Sequence, residues 1–201
     1  MMIMRGCQRV YLVLDVSGSM FGEPMQSMLN GVDGLLAALR ASPEIDIDNT
    51  VVSVIAFSTK AKAVVEEVPL KEFVMPELKA GGCTNVAGMI TELLVCAKGD
   101  DSFAKVEHDA HELPMVFFFM DGYPTDASKL IEKAIEAFHA REWGAYASFA
   151  IAGGAEKHFL ARLTSPRRVF DLTINPDFQA AIAPLPNRQG RRQSESKGIL
   201  S

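Results

Sequence analysis

Cysteine is scarce in this 201-residue chain: Cys7, Cys83 and Cys96 are its only three, and none lies in CxxC spacing. So sparse and odd a set excludes a disulfide framework and implies reduced thiols in a reducing compartment. No stretch approaches the ~20 apolar residues of a membrane-spanning helix. Met1 to Gln8 is mildly apolar but lacks the longer apolar run of a secretory signal. Strong charge is missing too. The net charge is −5, with no basic bias that would suit nucleic acid. No internal repeat is evident. What remains is the expectation of a soluble cytoplasmic protein, 48% hydrophobic and long enough for one domain with a substantial core.

The chain is organised around residues 10 to 20, VYLVLDVSGSM. Val10 to Leu14 form an almost unbroken apolar run, which suits a strand buried on both faces of a sheet. The character then changes to Asp15, Val16, Ser17, Gly18 and Ser19. A carboxylate followed by hydroxyls at alternate positions, in a loop at a strand's carboxyl end, suits a hard divalent cation that keeps some of its water. The same residues also suit a plain strand-to-helix turn with an N-cap serine.

Beyond Gly22-Glu23-Pro24, apolar residues recur at Met25, Met28, Leu29, Val32, Leu35, Leu36 and Leu39. That spacing predicts a helix with a wide buried stripe, ended at Ser42-Pro43. Gly31 and Gly34 weaken it locally, which close approach to the sheet would explain. Thr50 to Phe57 reads as an inner strand and Ala61 to Leu70 as an edge strand carrying charge. Only Ser58-Thr59-Lys60 connects them, too short for a helical crossover, so the pair is an antiparallel hairpin. A loop to Gly81-Gly82-Cys83-Thr84-Asn85 precedes a helix with Val86, Met89, Ile90 and Leu93 on one face. Lys98 to Pro114 is polar and irregular, a surface excursion or a short helical extension.

Met115 to Met120, MVFFFM, is the most hydrophobic stretch and reads as a central strand ending in Asp121-Gly122-Tyr123-Pro124-Thr125-Asp126. A helix from about Ala127 to His139 places Leu130, Ile131, Ala134, Ile135 and Phe138 at helical spacing. Ala145 to Ala152 reads as a strand, followed by Gly153-Gly154 and a short helix with Phe159, Leu160 and Leu163. Arg168 to Leu172 reads as a last edge strand and Pro176 to Ala183 as a closing helix. The organisation expected is an N-terminal extension over 1–9, one domain over 10–186 and a disordered polar tail over 187–201. Alternating strands and helices give an α/β sheet with helices on both faces and one antiparallel edge strand.

In such a sheet, ligands sit at the strands' carboxyl ends where the winding reverses. If the first strand neighbours MVFFFM there, the loops at Asp15–Ser19 and Asp121 meet in one crevice, with the loop at Thr84 above. DVSGSM, the threonine of GGCTN and the aspartate of MDGYPTD then resemble, in order, the three motifs of the metal-ion-dependent adhesion site (MIDAS) of von Willebrand factor A domains. The first has the D-x-S-x-S spacing. The resemblance covers roughly Arg9 to Pro186 and implies a Rossmann-like, doubly wound, mostly parallel sheet. Within that superfamily, VYLVLDVSGSMFGEPMQ, ALRASPE, AGGCTN and DGYPTD resemble the bacterial TerY-like proteins of tellurium-resistance gene clusters. That resemblance implies a cytoplasmic module linked to a Ser/Thr kinase and a phosphatase in a tellurite or chemical-stress response. Some relatives carry a further C-terminal metal-binding domain, for which this chain lacks the cysteine and histidine pairs.

The resemblance implies a Mg²⁺ or Mn²⁺ ion at Asp15, Ser17, Ser19, Thr84 and Asp121. Ser17 and Ser19 would ligate it directly, Thr84 would join from the exposed rim, and Asp15 and Asp121 would act mainly through bound waters. Neutral hydroxyls around the ion leave its charge poorly neutralised, so a partner protein's Asp or Glu can complete the shell. No enzyme activity, nucleic acid or membrane is expected. The enzymatic alternative is a metal-dependent phosphohydrolase or phosphotransferase with Asp15 as nucleophile. A haloacid-dehalogenase-like phosphatase would need an aspartate where Ser17 stands. His108 and His111 could bind zinc at i, i+3 spacing, though a solvated charged insert explains them more simply. Gly153-Gly154 reads as a strand-to-helix turn, and Arg167, Arg168, Arg188, Arg191 and Arg192 as solubilising charge. Phe138 and Trp143 are expected in the core.

Overall fold

The structure is a computed structural model and describes residues 7–98, 113–121, 124–151 and 157–185. Its centre is β1 (Gln8–Asp15), held in parallel on one side by β2 (Thr50–Phe57) and on the other by β4 (Met115–Met120). The full order is β3-β2-β1-β4-β5-β6, with β3 Ala61–Pro69, β5 Ala145–Ala150 and β6 Val169–Asp171. Only β3 runs antiparallel, paired to β2 through the three-residue connection that left no room for a crossover. The chain winds from β1 outward to β2 and β3, then returns across the sheet to β4 and continues to β5 and β6. The reversal falls between β1 and β4, which is where a doubly wound sheet opens a crevice.

Period-two alternation divides the central strands between two cores. Val10, Leu12 and Leu14 of β1 and Phe117 and Phe119 of β4 face α1 (Glu23–Ala41), whose Met28, Val32, Leu35, Leu36 and Leu39 close that side. Tyr11 and Val13, with Val116 and Phe118, face the opposite layer of α2 (Val86–Lys98), α3 (Ser128–Ala140) and α4 (Lys157–Leu163). The closing helix α5 (Phe178–Ile182) returns to the α1 side through Ala181 and Ile182. Burying a Phe or Leu side chain is worth roughly 1.5–3 kcal/mol, so the unbroken apolar runs of β1 and β4 hold the sheet's centre where the crevice forms. Phe138 and Trp143 stack at 5.0 Å within the second core, as expected.

Some local expectations change. β1 begins at Gln8, inside the expected extension, because Gln8 pairs with Thr50 and donates to the Leu113 carbonyl at 2.8 Å. Leu130 has helical spacing but is 57% exposed, since Ile131, Ile135 and Phe138 alone form the buried stripe of α3. Gly31 approaches the sheet at Phe119 but meets Leu172 more closely, and Gly34 is pressed against Phe178 of α5. The second glycine therefore makes room for the closing helix and not for a strand. Cys83 and Cys96 are thiols outside any disulfide, and the Cys7 thiol donates to the Asn49 carbonyl at 3.3 Å. Among the described residues no helix is long and apolar enough to cross a membrane. The readings made for residues 1–6, for His108, His111 and most of the polar insert, for Gly153-Gly154 and for the tail lie outside the described residues.

Candidate metal centre

At the carboxyl end of β1 the chain leaves the sheet in a single 3-10 turn, Gly18–Met20. Asp15 is fully buried there, and one of its oxygens, Oδ1, accepts the Ser17 backbone N–H at 2.8 Å. That short-range bond bends the loop so that the hydroxyls of Ser17 and Ser19 lie 3.0 Å apart. Ser19 Oγ then donates to Asp121 Oδ1, just past the end of β4, at 3.1 Å. Four of the five expected site residues thus form one continuous chain of contacts, running from buried Asp15 through Ser17 and exposed Ser19 to half-buried Asp121.

Thr84 enters through backbone. The amide of Gly18 donates to the Gly82 carbonyl at 2.9 Å, and the amide of Gly81 donates to the Val16 carbonyl at 2.8 Å. Gly82 has φ +86°, and a Cβ there would lie 2.5 Å from Thr59 Oγ1, so only glycine fits this approach. Thr84 itself is 5% exposed. The expectation of an exposed rim position is therefore corrected: the threonine is buried, its carbonyl bonded by the Thr125 amide and the neighbouring Gly82 carbonyl by Gly18. Cys83 beside it is exposed.

The electrostatics of the crevice are one-sided. Burial pushes the Asp15 carboxyl up to about 6, hydrogen bonding from Ser17 opposes the rise, and the nearby Asp121 charge adds to it. Burial likewise raises Asp121, against the Ser19 hydrogen bond. Among the described residues no cationic side chain contributes to either shift. The second Asp15 oxygen, Oδ2, is buried with no hydrogen-bond partner among the described residues. A buried carboxylate oxygen left unpaired costs on the order of several kcal/mol, and a cation or a proton relieves it. Among the described residues no group of three or more His, Cys, Asp or Glu could hold a metal. An ion in this crevice would therefore depend on the hydroxyls as well as the two carboxylates.

No protein-family model matches the chain, and no curated protein matches it. Solved structures do. VWA2, an ArnB paralog from Sulfolobus acidocaldarius, is 17% identical with a TM-score of 0.54, over 83% of this chain and 40% of that one. The chain has the von Willebrand factor A fold. The manganese-loaded TRAP protein of Plasmodium vivax is 16% identical with a TM-score of 0.58, over 88% of this chain and 72% of that one. Proximal thread matrix protein 1 from the mussel byssus, in a structure with a zinc-occupied MIDAS motif, is 17% identical with a TM-score of 0.54. That match covers 83% of this chain and 41% of the byssus protein, so this chain spans less than half of that protein or of VWA2.

Within this von Willebrand factor A fold, two residues at the site carried no expected role. Thr125 donates to the Thr84 carbonyl through both its amide, at 2.9 Å, and its hydroxyl, at 3.0 Å. Asp126 accepts the amides of Val86 and Ala87, the first residues of α2. Both belong to the quoted DGYPTD stretch. The only sequence signal was a hydroxyl and a carboxylate following a turn proline, which fits an ordinary helix start equally well.

Proposed function

We propose that the crevice is a divalent-cation site through which the protein binds a carboxylate of a partner protein. The observation that carries this is Asp15 Oδ2, a buried carboxylate oxygen without a partner among the described residues, in a loop with two hydroxyls and a second carboxylate. Asp15, Ser17, Ser19, Thr84 and Asp121 would hold the ion, the serine hydroxyls directly and the carboxylates through water. Mg²⁺ suits oxygen ligands with retained waters, and Mn²⁺ would substitute. The zinc- and manganese-bearing structures of the same fold support a divalent metal without selecting among these. A bound ion ligated largely by neutral hydroxyls supplies an electrophilic position that an Asp or Glu side chain can fill.

The surroundings favour recognition over catalysis. Phe21, two residues beyond Ser19, is 84% exposed, an apolar anchor beside a polar site. Asp15, the nucleophile of the phosphotransferase alternative, is fully buried, which disfavours attack on a substrate phosphorus. On the resemblance of its motifs to TerY-like proteins, the partner is a Ser/Thr kinase or phosphatase of a cytoplasmic tellurite-stress system. The test is co-precipitation with such a kinase and phosphatase in Mg²⁺ or in EDTA, using wild type and Thr84→Ala. Binding is expected only to wild type with the ion present. A complex that survives EDTA and tolerates Thr84→Ala places the interface elsewhere. A phosphate-release assay expected to stay at background separates the enzymatic alternative.

A further inference from the structure

The loop carrying Thr84 is held from two directions. On one side, the Asn85 amide donates to the Ser58 carbonyl at 2.9 Å and the Cys83 amide to Thr59 Oγ1 at 3.0 Å, which fixes the loop to the β2–β3 turn. On the other, Thr125 and Asp126 bond to it. Thr125 gives two hydrogen bonds to the Thr84 carbonyl, and Asp126 takes the Val86 amide at 3.0 Å and the Ala87 amide at 2.5 Å. Asn85 Oδ1 caps the next amide, that of Gly88, at 2.7 Å. Three amides at the start of α2 are thus satisfied, two of them by a carboxylate some 40 residues away in sequence.

We infer that Asp126 is a positioning residue of the metal centre, acting with Thr125 to hold Thr84 in place relative to Asp121. This rests on the cation reading of the crevice. Two physical effects support it. Thr125 and Asp126 follow Asp121 by only a few residues, so their four bonds to Thr84, Val86 and Ala87 fasten the second and third metal loops into one unit. The amino end of a 13-residue helix also carries about half a positive charge. Left bare beside Thr84 it would oppose a cation, and the Asp126 carboxylate offsets it. A cap of this kind stabilises any helix, so the proposal claims more than a cap: the geometry offered to the ion depends on it.

The experiment compares wild type, Asp126→Ala, Asp126→Asn and Thr125→Val by Mn²⁺ titration, by water-proton relaxation of the Mn²⁺ complex and by amide exchange of the metal-free protein. Changes to the outer hydrogen-bond partners of a metal site typically cost about 10- to 100-fold in affinity. Asp126→Ala is expected to weaken Mn²⁺ binding by that order and to add one ion-bound water, as Thr84→Val should. Asp126→Asn, which keeps an acceptor without the charge, should fall between. Val86, Ala87 and Thr125 amides should exchange faster in Asp126→Ala before any metal is added. Should Asp126→Ala prove too unstable to titrate, Thr125→Val removes one bond to Thr84 without touching the helix cap and should still add the water. Variants that melt earlier but keep wild-type Mn²⁺ affinity and water count would reduce Asp126 to a helix cap and overturn the proposal. A wild type that binds no Mn²⁺ would instead overturn the metal reading, and the proposal with it.

Discussion

Ser19 Oγ reaches Asp121 Oδ1 at 3.1 Å across 102 residues of sequence, linking the loop after β1 to the loop after β4 where the sheet's winding reverses. The contact lies at the surface, so its own worth to folding is small, about 0.5–1.5 kcal/mol. Its consequence is for the ion. Asp121→Ala is expected to lower Mn²⁺ affinity about 10- to 100-fold while leaving the melting temperature of the metal-free protein within a few degrees. Titration calorimetry and thermal melts of both proteins check it. An unchanged affinity would remove Asp121 from the site.

The pH dependence follows from Asp15. Its carboxyl is raised to about 6 by burial, against an unfolded value of 3.8. Between those values the folded state holds the proton that the unfolded state has lost. Stability in EDTA should therefore fall as pH rises from about 4 to about 6 and stay lower above, by up to ~3 kcal/mol. Asp171, lowered to about 2 by its Lys157 and Thr173 hydrogen bonds, acts in the opposite sense but only below that window. Asp15→Asn carries no titrating proton, so in EDTA near neutrality it should melt higher than wild type. Mn²⁺ competes with the same proton, so its affinity should climb through about pH 6 and then level. Melts of both proteins across this range measure the effect. A wild type whose stability parallels that of Asp15→Asn at every pH would contradict the assignment of the buried charge.

Where one local pattern had one physical cause, sequence and structure agree. MVFFFM has no polar residue to expose and became the central β4, and the three-residue connection after Phe57 forced the β2–β3 hairpin. Asp15, Ser17 and Ser19 alone also suit a plain strand-to-helix turn; the resemblance of three motifs grouped them with Asp121, and the structure places these four in contact. Features made by distant segments were not legible. Gly34 signals only small size, and nothing near it in sequence names Phe178 as the group that needs the space. Leu130 fits the helical period yet lies outside the stripe that the sheet covers. The rim position expected for Thr84 comes from the resemblance alone, and nothing in its own loop names Thr125, which bonds its carbonyl from 41 residues downstream.

Phe21 provides a test of the interface separate from the ion. Its ring is exposed while the adjacent Met20 is buried, so Phe21→Ser removes no core contact. Metal affinity and melting temperature should stay at wild-type values, whereas partner binding should weaken by roughly 1–2 kcal/mol or more, as loss of an exposed aromatic anchor does. Surface plasmon resonance against a metal-dependent partner reads the difference. Unchanged partner affinity would exclude this side of the crevice from the interface.

The most direct measurement is calorimetric titration of Mn²⁺ into wild type and Asp15→Ala, with Mg²⁺ as competitor. Wild type should bind a single ion that Mg²⁺ displaces, because Asp15, the Ser17 and Ser19 hydroxyls and Asp121 form one chain of contacts. Asp15→Ala should lose at least about 10-fold in affinity. Equal Mn²⁺ affinity in the two proteins, or no binding to wild type, would contradict the metal centre.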